Sequence, residues 1–321
     1  MPVNVSALSS AIKNNVKKVI VGKDDTIDLL LVCLFSRGHM LLEDVPGTGK
    51  TMLVKALAAS VACNSKRIQF TPDLLPSDIT GIRYFNMKSA EFEFVAGPVF
   101  TNILLADEIN RATPKTQAGL LECMEEHQAT IDGTTYPLAD PFMVIATQNP
   151  IENLGVFPLP EAELDRFLVK TSMNYPTKEE SIAILERFGT EDPLASLTPV
   201  ASERDINAAI AQIPHTYIHR DLVAYIAEII EATRSADSVE LGASPRGGIA
   251  LQKAAKAFAA MDNRDYVIPD DIKRAAVPVL AHRLVLTSSA RIRRGSDERV
   301  IEDILRTVSV PTEPQIFWSK K

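Results

Sequence analysis

The sequence predicts an α/β domain built on a parallel sheet, followed by a smaller helical domain. Up to about residue 176, short apolar stretches alternate with helical patterns. This alternation is typical of a parallel sheet that is covered by helices on both faces. After Pro176 the pattern becomes almost entirely helical, and 321 residues are enough for two domains that each bury a core. We therefore expect an α/β domain over residues 1–176 and a helical domain over residues 177–321.

The elements of the first domain follow one another along the chain. Residues 1–19 have the pattern of an amphipathic helix, and a strongly apolar helix is predicted from Asp24 to Phe35. The predicted strands are Met40–Leu42, Arg67–Phe70, Ile103–Ala106 and Phe142–Thr147, and the predicted helices between them are Thr51–Ala62 and Pro114–His127. The segment 129–136 alternates around Asp132-Gly133, which indicates a β-hairpin because Asp-Gly favours the tight turn that such hairpins need.

Residues that commonly precede or begin helices divide the second domain into helical segments. Helix starts are predicted at Thr177, Ser202, His219, Ser244 and Pro269. The segment at Ser244 predicts a serine cap with Pro245 in the first helical position.

Charge and cysteine content limit the classes of function. The formal net charge is −7, from 34 basic and 41 acidic side chains, and there is no long basic run. Non-specific nucleic-acid binding is therefore not expected. The three cysteines, Cys33, Cys63 and Cys123, are odd in number and scattered, which is typical of thiols in a reducing compartment.

The apolar stretches do not predict a membrane protein. The longest of them, residues 27–35, contains Asp28 and is too short to span a bilayer. Lys13, Lys17 and Lys18 interrupt any signal-peptide core near the N-terminus. A cytoplasmic location is the expectation that follows.

The segment Val45–Thr51, VPGTGKT, is a predicted phosphate-binding loop. It follows an apolar strand and opens a helix, so that backbone N–H groups can surround a phosphate chain. Lys50 can reach the β and γ oxygens, and the Thr51 hydroxyl can complete a Mg²⁺ shell. The residues expected to contact nucleotide here are Pro46, Gly47, Thr48, Gly49, Lys50, Thr51 and Met52.

This loop departs from the usual eight-residue pattern at its first position. That position normally carries glycine, and here it is Asp44. Gly47 and Gly49 still provide the freedom that the tight turn requires. The departure weakens the isolated motif without removing the prediction.

A pair of carboxylates follows the apolar strand Ile103–Ala106. Asp107 can hold the Mg²⁺ shell, and Glu108 can orient and polarise the attacking water. The alternative is that both residues only end a strand and solubilise a turn. The phosphate-binding loop upstream favours the catalytic interpretation.

Three further residues are candidates for contact with the γ-phosphate. Asn149 ends another buried strand, although asparagine before proline is also a common turn opener. Arg166, in LDRF, would be an ordinary surface arginine in most proteins, but a guanidinium delivered from a neighbour can stabilise phosphoryl transfer. Arg246, in GASPRG, begins a helix of the second domain and could reach the γ-phosphate.

The ordered motifs VGKD, LLEDVPGTGKT, LLADEINRA, IATQNP, LPEAELDRF and GASPRG closely resemble the MoxR family of AAA+ ATPases, from about Val19 to about Leu286. The resemblance implies an AAA+ fold with a parallel central sheet and a helical lid. It also implies an insertion before the carboxylate strand, here Thr71–Pro98. Members of the family form hexameric rings with nucleotide between subunits, so a homo-oligomer is expected.

The resemblance also assigns roles at the nucleotide site. These are Walker A for Lys50 and Thr51, Walker B for Asp107 and Glu108, sensor 1 for Asn149, arginine finger for Arg166, sensor 2 for Arg246, and adenine contact for Val21 and Gly22. Gln69 is a candidate for a polar switch that holds Glu108 inactive, and the Asp132-Gly133 hairpin would point toward the ring's pore.

The implied function is chaperone-like. An enzyme of this kind binds ATP or ADP together with Mg²⁺. It uses ATP hydrolysis to remodel or mature partner proteins, often metal-dependent complexes. It acts with a von Willebrand factor A domain protein, which would be supplied in trans.

Three other functions remain open from the sequence. A nucleic-acid motor is disfavoured by the acidic balance and by Asp132 at the hairpin tip, where a DNA-tracking loop would carry Lys or Arg. A metal-chelatase motor subunit shares the same motifs and differs in its partners. A non-hydrolysing scaffold is disfavoured by the presence of Glu108.

Overall fold

The computed structural model describes residues 3–45, 47–149, 156–189, 192–292 and 296–311. Within these ranges the chain divides into two units. The sheet unit comprises residues 10–159 and 171–207, and the helical unit comprises residues 1–9, 160–170 and 208–321. The domain boundary predicted at residue 176 stays a prediction.

The helices and strands alternate through the first half of the chain, as the sequence predicts. The helices are α1 (Val5–Val16), α2 (Asp24–Phe35), α3 (Lys50–Ser60), α4 (Pro76–Thr80), α5 (Pro114–Glu126), α6 (Glu161–Leu164), α7 (Lys178–Phe188), α8 (Glu203–Gln212), α9 (Arg220–Ser235), α10 (Pro245–Met261), α11 (Pro269–Leu280), α12 (Ser288–Ile292) and α13 (Asp297–Thr307). The strands are β1 (Met40–Glu43), β2 (Ser65–Gln69), β3 (Gly81–Asn86), β4 (Glu91–Ala96), β5 (Ile103–Asp107), β6 (Gln128–Ile131), β7 (Thr134–Pro137), β8 (Met143–Gln148), β9 (Val169–Thr171), β10 (Val239–Leu241) and β11 (Val285–Leu286). In the part of the chain that the structure describes, no helix combines the length and apolarity needed to cross a membrane.

A five-stranded sheet with the order β2-β5-β8-β1-β9 is the centre of the fold. β2 pairs with β5, β5 with β8, and β8 with β1, all in parallel. The predicted parallel sheet is confirmed, and the first four residues of both β5 and β8 are apolar and buried. Parallel pairing brings the carboxyl ends of these strands to one edge, with Gln69 beside Asp107 and Glu43 beside Gln148. Ligand sites of α/β proteins form at such an edge.

The five predicted helix starts agree to within one residue with the starts of α7 to α11, whereas the starts of α12 and α13 were not predicted. Thr177 caps α7, because its hydroxyl accepts a hydrogen bond from the Glu180 N–H at 3.2 Å, and the Glu180 carboxylate accepts from the Thr177 N–H at 2.9 Å.

Ser244 does occupy the position before α10. The prediction that Ser244 caps this helix is wrong for its side chain, which makes no capping hydrogen bond. Its hydroxyl donates to the Asp165 carboxylate at 3.3 Å, and no N–H group of α10 donates to its oxygen.

Two β-hairpins extend the sheet unit. β6 and β7 pair around Asp132-Gly133, where both residues have positive φ, at 49° and 78°. This confirms the predicted turn. The hairpin of β3 and β4 was not predicted, although it lies within the insertion that the family resemblance implied. The Phe94 ring stacks on the Tyr136 ring at a centroid distance of 4.3 Å, so the two hairpins pack against each other.

The helical unit departs from the all-helical prediction by a short pair of strands. Strands β10 and β11 pair antiparallel within it. They have three and two residues, too few to show the alternation by which strands are recognised.

Candidate active site

The phosphate-binding loop lies between β1 and α3, as predicted. Gly47 and Gly49 have φ of 85° and 92°, in the left-handed region that glycine enters without strain. Gly49 immediately precedes α3, so the loop ends at the first turn of that helix. The N–H groups of a first helical turn lack intrahelical acceptors and suit an anion. Pro46, one of the predicted contacts, lies outside the described residues.

Lys50 lies over its own loop. Its Nζ donates to the carbonyl oxygens of Asp44 and Val45, both at 3.1 Å. These contacts keep the ammonium group at the end of β1, beside the turn that the two glycines form. The position fits the predicted contact with phosphate oxygens, and Thr51 follows in the first turn of α3.

Asp44 has a structural function that the glycine-based pattern does not supply. Its side chain is buried. Oδ1 accepts from the Val45 N–H and Oδ2 from the Met173 N–H, both at 3.0 Å, while its own N–H donates to Gln148 O at 3.1 Å. The carboxylate therefore ties the loop to the segment after β9.

The turn predicted to contact adenine lies between α1 and α2. Gly22 has a φ of 68°, and a Cβ there would clash with Glu180 Oε1. The positive φ favours glycine at this position beside Val21, and a larger residue would require the Glu180 carboxylate to move. Lys23 Nζ lies 3.4 Å from Glu180 Oε2 and donates to Tyr175 O at 3.3 Å, so α7 and the segment before it hold the turn.

The two predicted catalytic carboxylates follow β5, and Thr147 of the neighbouring β8 binds both residues. Its hydroxyl donates to Asp107 Oδ1 at 2.5 Å and accepts from the Glu108 N–H at 2.8 Å. Glu108 has a φ of 56°, a left-handed conformation that is uncommon outside glycine. Sequence reasoning missed Thr147. The available signal was a hydroxyl that directly follows four apolar buried residues of the same strand.

Cationic and amide groups surround these carboxylates. Arg67 of β2 donates to Asp107 Oδ2 through Nη2 at 2.7 Å and through Nε at 3.2 Å. Arg67 Nη2 also donates to Gln69 Oε1 at 2.7 Å. Glu108 Oε2 accepts from Gln69 Nε2 at 2.8 Å and from Arg111 Nη1 at 3.1 Å. Gln69 therefore makes the contact expected of a switch that holds Glu108.

The remaining predicted residues are divided between the two units. Asn149 follows β8 and is buried, at the sheet edge that also carries Glu108, and its carbonyl accepts from Asn110 Nδ2 at 3.5 Å. Arg166 lies just after α6 rather than within it, and Arg246 lies in the first turn of α10. Both arginines belong to the helical unit. The roles of these residues stay predictions.

Comparison with known proteins identifies the class of protein to which the chain belongs. Residues 39–169 match the sequence model of the ATPase family associated with various cellular activities (AAA), and residues 231–304 match that of the AAA lid domain. The fold and the loop thus define an AAA ATPase, an enzyme that binds nucleotide and hydrolyses ATP.

The relatives narrow the assignment. The chain is 49% identical over 299 residues to the uncharacterized protein YeaC of Bacillus subtilis, an alignment that covers 93% of each chain. It is 44% identical over 305 residues to the chaperone MoxR1 of Mycobacterium tuberculosis, covering 92% of this chain and 80% of that one. A crystal structure from Cytophaga hutchinsonii, provisionally assigned as an ATPase, is 41% identical, with a TM-score of 0.90 over 96% of both chains. The chain belongs to the MoxR family of AAA+ ATPases.

The buried carboxylate of Asp44 generates a first prediction. Replacing Asp44 with Gly restores the usual loop pattern but leaves two N–H groups without their acceptor, at a cost of about 1–3 kcal/mol each. We expect ATP affinity to fall at least about tenfold for Asp44→Gly and less for Asp44→Asn, which keeps one acceptor oxygen. Calorimetric titration with ATP measures this. Wild-type affinity in Asp44→Gly would show that the carboxylate does not organise the loop.

The contact between Gln69 and Glu108 generates a second prediction. Gln69→Ala should raise the unstimulated ATPase rate, because Glu108 loses an amide that competes with the attacking water. Gln148→Ala is the matched control, since Gln148 ends the adjacent β8 but donates to Glu43 at 2.6 Å. A steady-state assay compares the two variants with wild type. A lower rate in Gln69→Ala would mean that Gln69 orients Glu108 for catalysis.

Proposed function

We propose that this ATPase is a Mg²⁺-dependent ring motor that remodels or matures partner proteins. The observation that carries the proposal is the distribution of the predicted ATP-site groups. The loop and both carboxylates lie in the sheet unit, whereas Arg166 and Arg246 lie in the helical unit. Many enzymes couple turnover to conformational steps, and we assign such a step to this motor.

The sheet unit carries the groups that Mg²⁺ and phosphate require. We assign Mg²⁺ to the Thr51 hydroxyl and to Asp107, with phosphate oxygens and water completing its shell. A site that uses two protein ligands is compatible with the lack, among the described residues, of any cluster of three His, Cys, Asp or Glu side chains. Lys50 neutralises phosphate charge. Once Gln69 and Arg111 release the Glu108 carboxylate, Glu108 takes up a proton from the attacking water.

Arg166 acts on the neighbouring subunit in this proposal. A guanidinium that approaches from outside can stabilise the charge that spreads over the transferring phosphoryl oxygens. Closed rings arise from repeated head-to-tail contacts of this kind, and we propose a hexamer. Arg246 is assigned to sensing the γ-phosphate.

The partners are proteins in this proposal. The relative from Mycobacterium tuberculosis is named a chaperone, and the insertion hairpin exposes about half or more of Ile82, Phe85 and Phe92. Exposed apolar side chains suit a protein surface better than a polyanion. We assign a von Willebrand factor A domain protein as the partner and a metal-dependent complex as the product. The three free cysteines support a cytoplasmic location.

A trapped variant tests the proposed activity. Glu108→Gln should bind ATP but lose turnover by about 10³-fold or more, because the water is no longer polarised. Immobilised with ATP, it should retain a von Willebrand factor A domain protein, which mass spectrometry identifies. Lys50→Ala, which should not bind ATP, is the control.

Two results would contradict the proposed activity. Near-normal turnover in Glu108→Gln would remove the catalytic assignment. A salt-dependent shift of labelled single-stranded DNA, without a retained protein, would favour a nucleic-acid motor instead.

Subunit mixing tests the position of Arg166. Arg166→Ala should keep ATP affinity and lose hydrolysis by about 10³-fold. Mixing it with Lys50→Ala should partly restore the rate, because an intact loop then faces an intact arginine across some interfaces. If mixed rings stay inactive while each variant assembles normally, Arg166 does not act between subunits.

A further inference from the structure

We propose that Asp165 and Arg283 are positioning residues for Arg166, and that Ser244 couples Arg166 to the helix that carries Arg246. The inference rests on the proposed function, because it concerns the two arginines assigned there to ATP hydrolysis. The residues of this cluster all lie in the helical unit.

Arg283 holds the chain on both sides of Arg166. Its Nε donates to Asp165 Oδ1 at 2.6 Å, and its Nη2 donates to Asp165 O at 3.0 Å and to Phe167 O at 2.8 Å. The third nitrogen, Nη1, donates to Leu168 O at 3.4 Å. The Arg283 side chain is only 3% exposed. One buried guanidinium therefore fixes the backbone from which Arg166 projects.

This contact differs from an ordinary surface ion pair. Exposed pairs contribute little, because water and salt screen them and both side chains lose entropy. Here the planar guanidinium binds one carboxylate and four backbone carbonyls, the fourth being that of Val279, in a fixed geometry that lysine cannot reproduce. The arrangement specifies the conformation of the segment 165–168.

Ser244 carries the link to the second arginine. Its hydroxyl donates to Asp165 Oδ2 at 3.3 Å, and its oxygen does not accept the N–H hydrogen bond with which a serine at this position usually caps its helix. Arg246 follows two residues later. Arg166 and Arg246 are thus connected through Asp165, the hydrogen bond between Asp165 and Ser244, and Pro245.

Close packing reinforces this link. Gly247 lies in the same first turn of α10, and a Cβ there would be 3.2 Å from Arg283 Cδ. The start of α10 therefore lies against the residue that holds Asp165. A displacement of this turn when Arg246 engages nucleotide is transmitted to the backbone of Arg166, and so to the neighbouring subunit's site.

Mixed rings separate positioning from a purely structural role. Asp165→Asn should reduce kcat at least about tenfold. Its ATP affinity should stay within about twofold of wild type, because the phosphate-binding loop of the variant subunit is intact. Mixed with Lys50→Ala subunits, it should regain activity, as Arg166→Ala does. A defect that arises from general destabilisation would not be rescued in this way.

Ser244→Ala and Ser244→Thr form a matched pair that leaves the Arg283 contact in place. Ser244→Ala should lower kcat about three- to tenfold without changing ATP affinity, and Ser244→Thr, which keeps the hydroxyl, should remain near wild type. These variants preserve the test if Asp165→Asn does not fold.

The outcomes distinguish this inference from the proposed function. If Arg166→Ala is rescued by mixing but Asp165→Asn is not, or if Ser244→Ala has wild-type kcat, the positioning and coupling inference is overturned alone. If Arg166→Ala itself is not rescued, the proposed action of Arg166 between subunits fails first.

Discussion

The hydroxyl of Thr147 is the contact on which the geometry of the carboxylate pair depends. It binds the side chain of Asp107 and the backbone of Glu108 together, and it can do so only because β5 and β8 are parallel and in the observed register. The same register places Gln69 beside Asp107 and aligns the end of β1 with the end of β8. The loop, the carboxylates and Asn149 are thus consequences of one parallel sheet whose strands end at one edge.

Two acidic residues that a motif search would pass over serve as structural connectors. Asp44 accepts backbone hydrogen bonds from the phosphate-binding loop and from the segment after β9. Asp165 is bound by Arg283 and by Ser244. Each carboxylate lies next to a predicted functional element and joins it to a segment that is distant in sequence. In the proposed mechanism, the ATPase transmits the state of its nucleotide through such short polar links.

Local sequence patterns predicted the helices, strands and turns well, but they predicted few of the side-chain contacts between distant segments. Capping signals, the Asp132-Gly133 turn and the apolar strands depend on neighbouring residues, so they can be read from the sequence. The family resemblance, supported by ordered motifs, gave the AAA+ assignment that the comparisons confirm. The sequence did not predict the contacts of Thr147, Arg67 and Arg283, because their hydrogen-bond partners lie far away along the chain. Ser244 was assigned to its own helix for the same reason, since only the fold brings Asp165 to it. The insertion hairpin was also not predicted. Its second strand alternates charged and aromatic residues over Glu91–Phe94, but its first strand does not alternate.

In the proposed ring, each ATP site is completed by Arg166 of a neighbouring subunit. The most direct measurement is the ATPase rate per wild-type subunit in rings co-assembled with increasing fractions of a Lys50→Ala/Arg166→Ala double variant, which has neither a working loop nor the arginine. A shared site predicts that this rate falls as the double variant increases, because wild-type loops then face subunits that lack Arg166. A constant rate per wild-type subunit, in rings shown to contain both chains, would contradict the shared site.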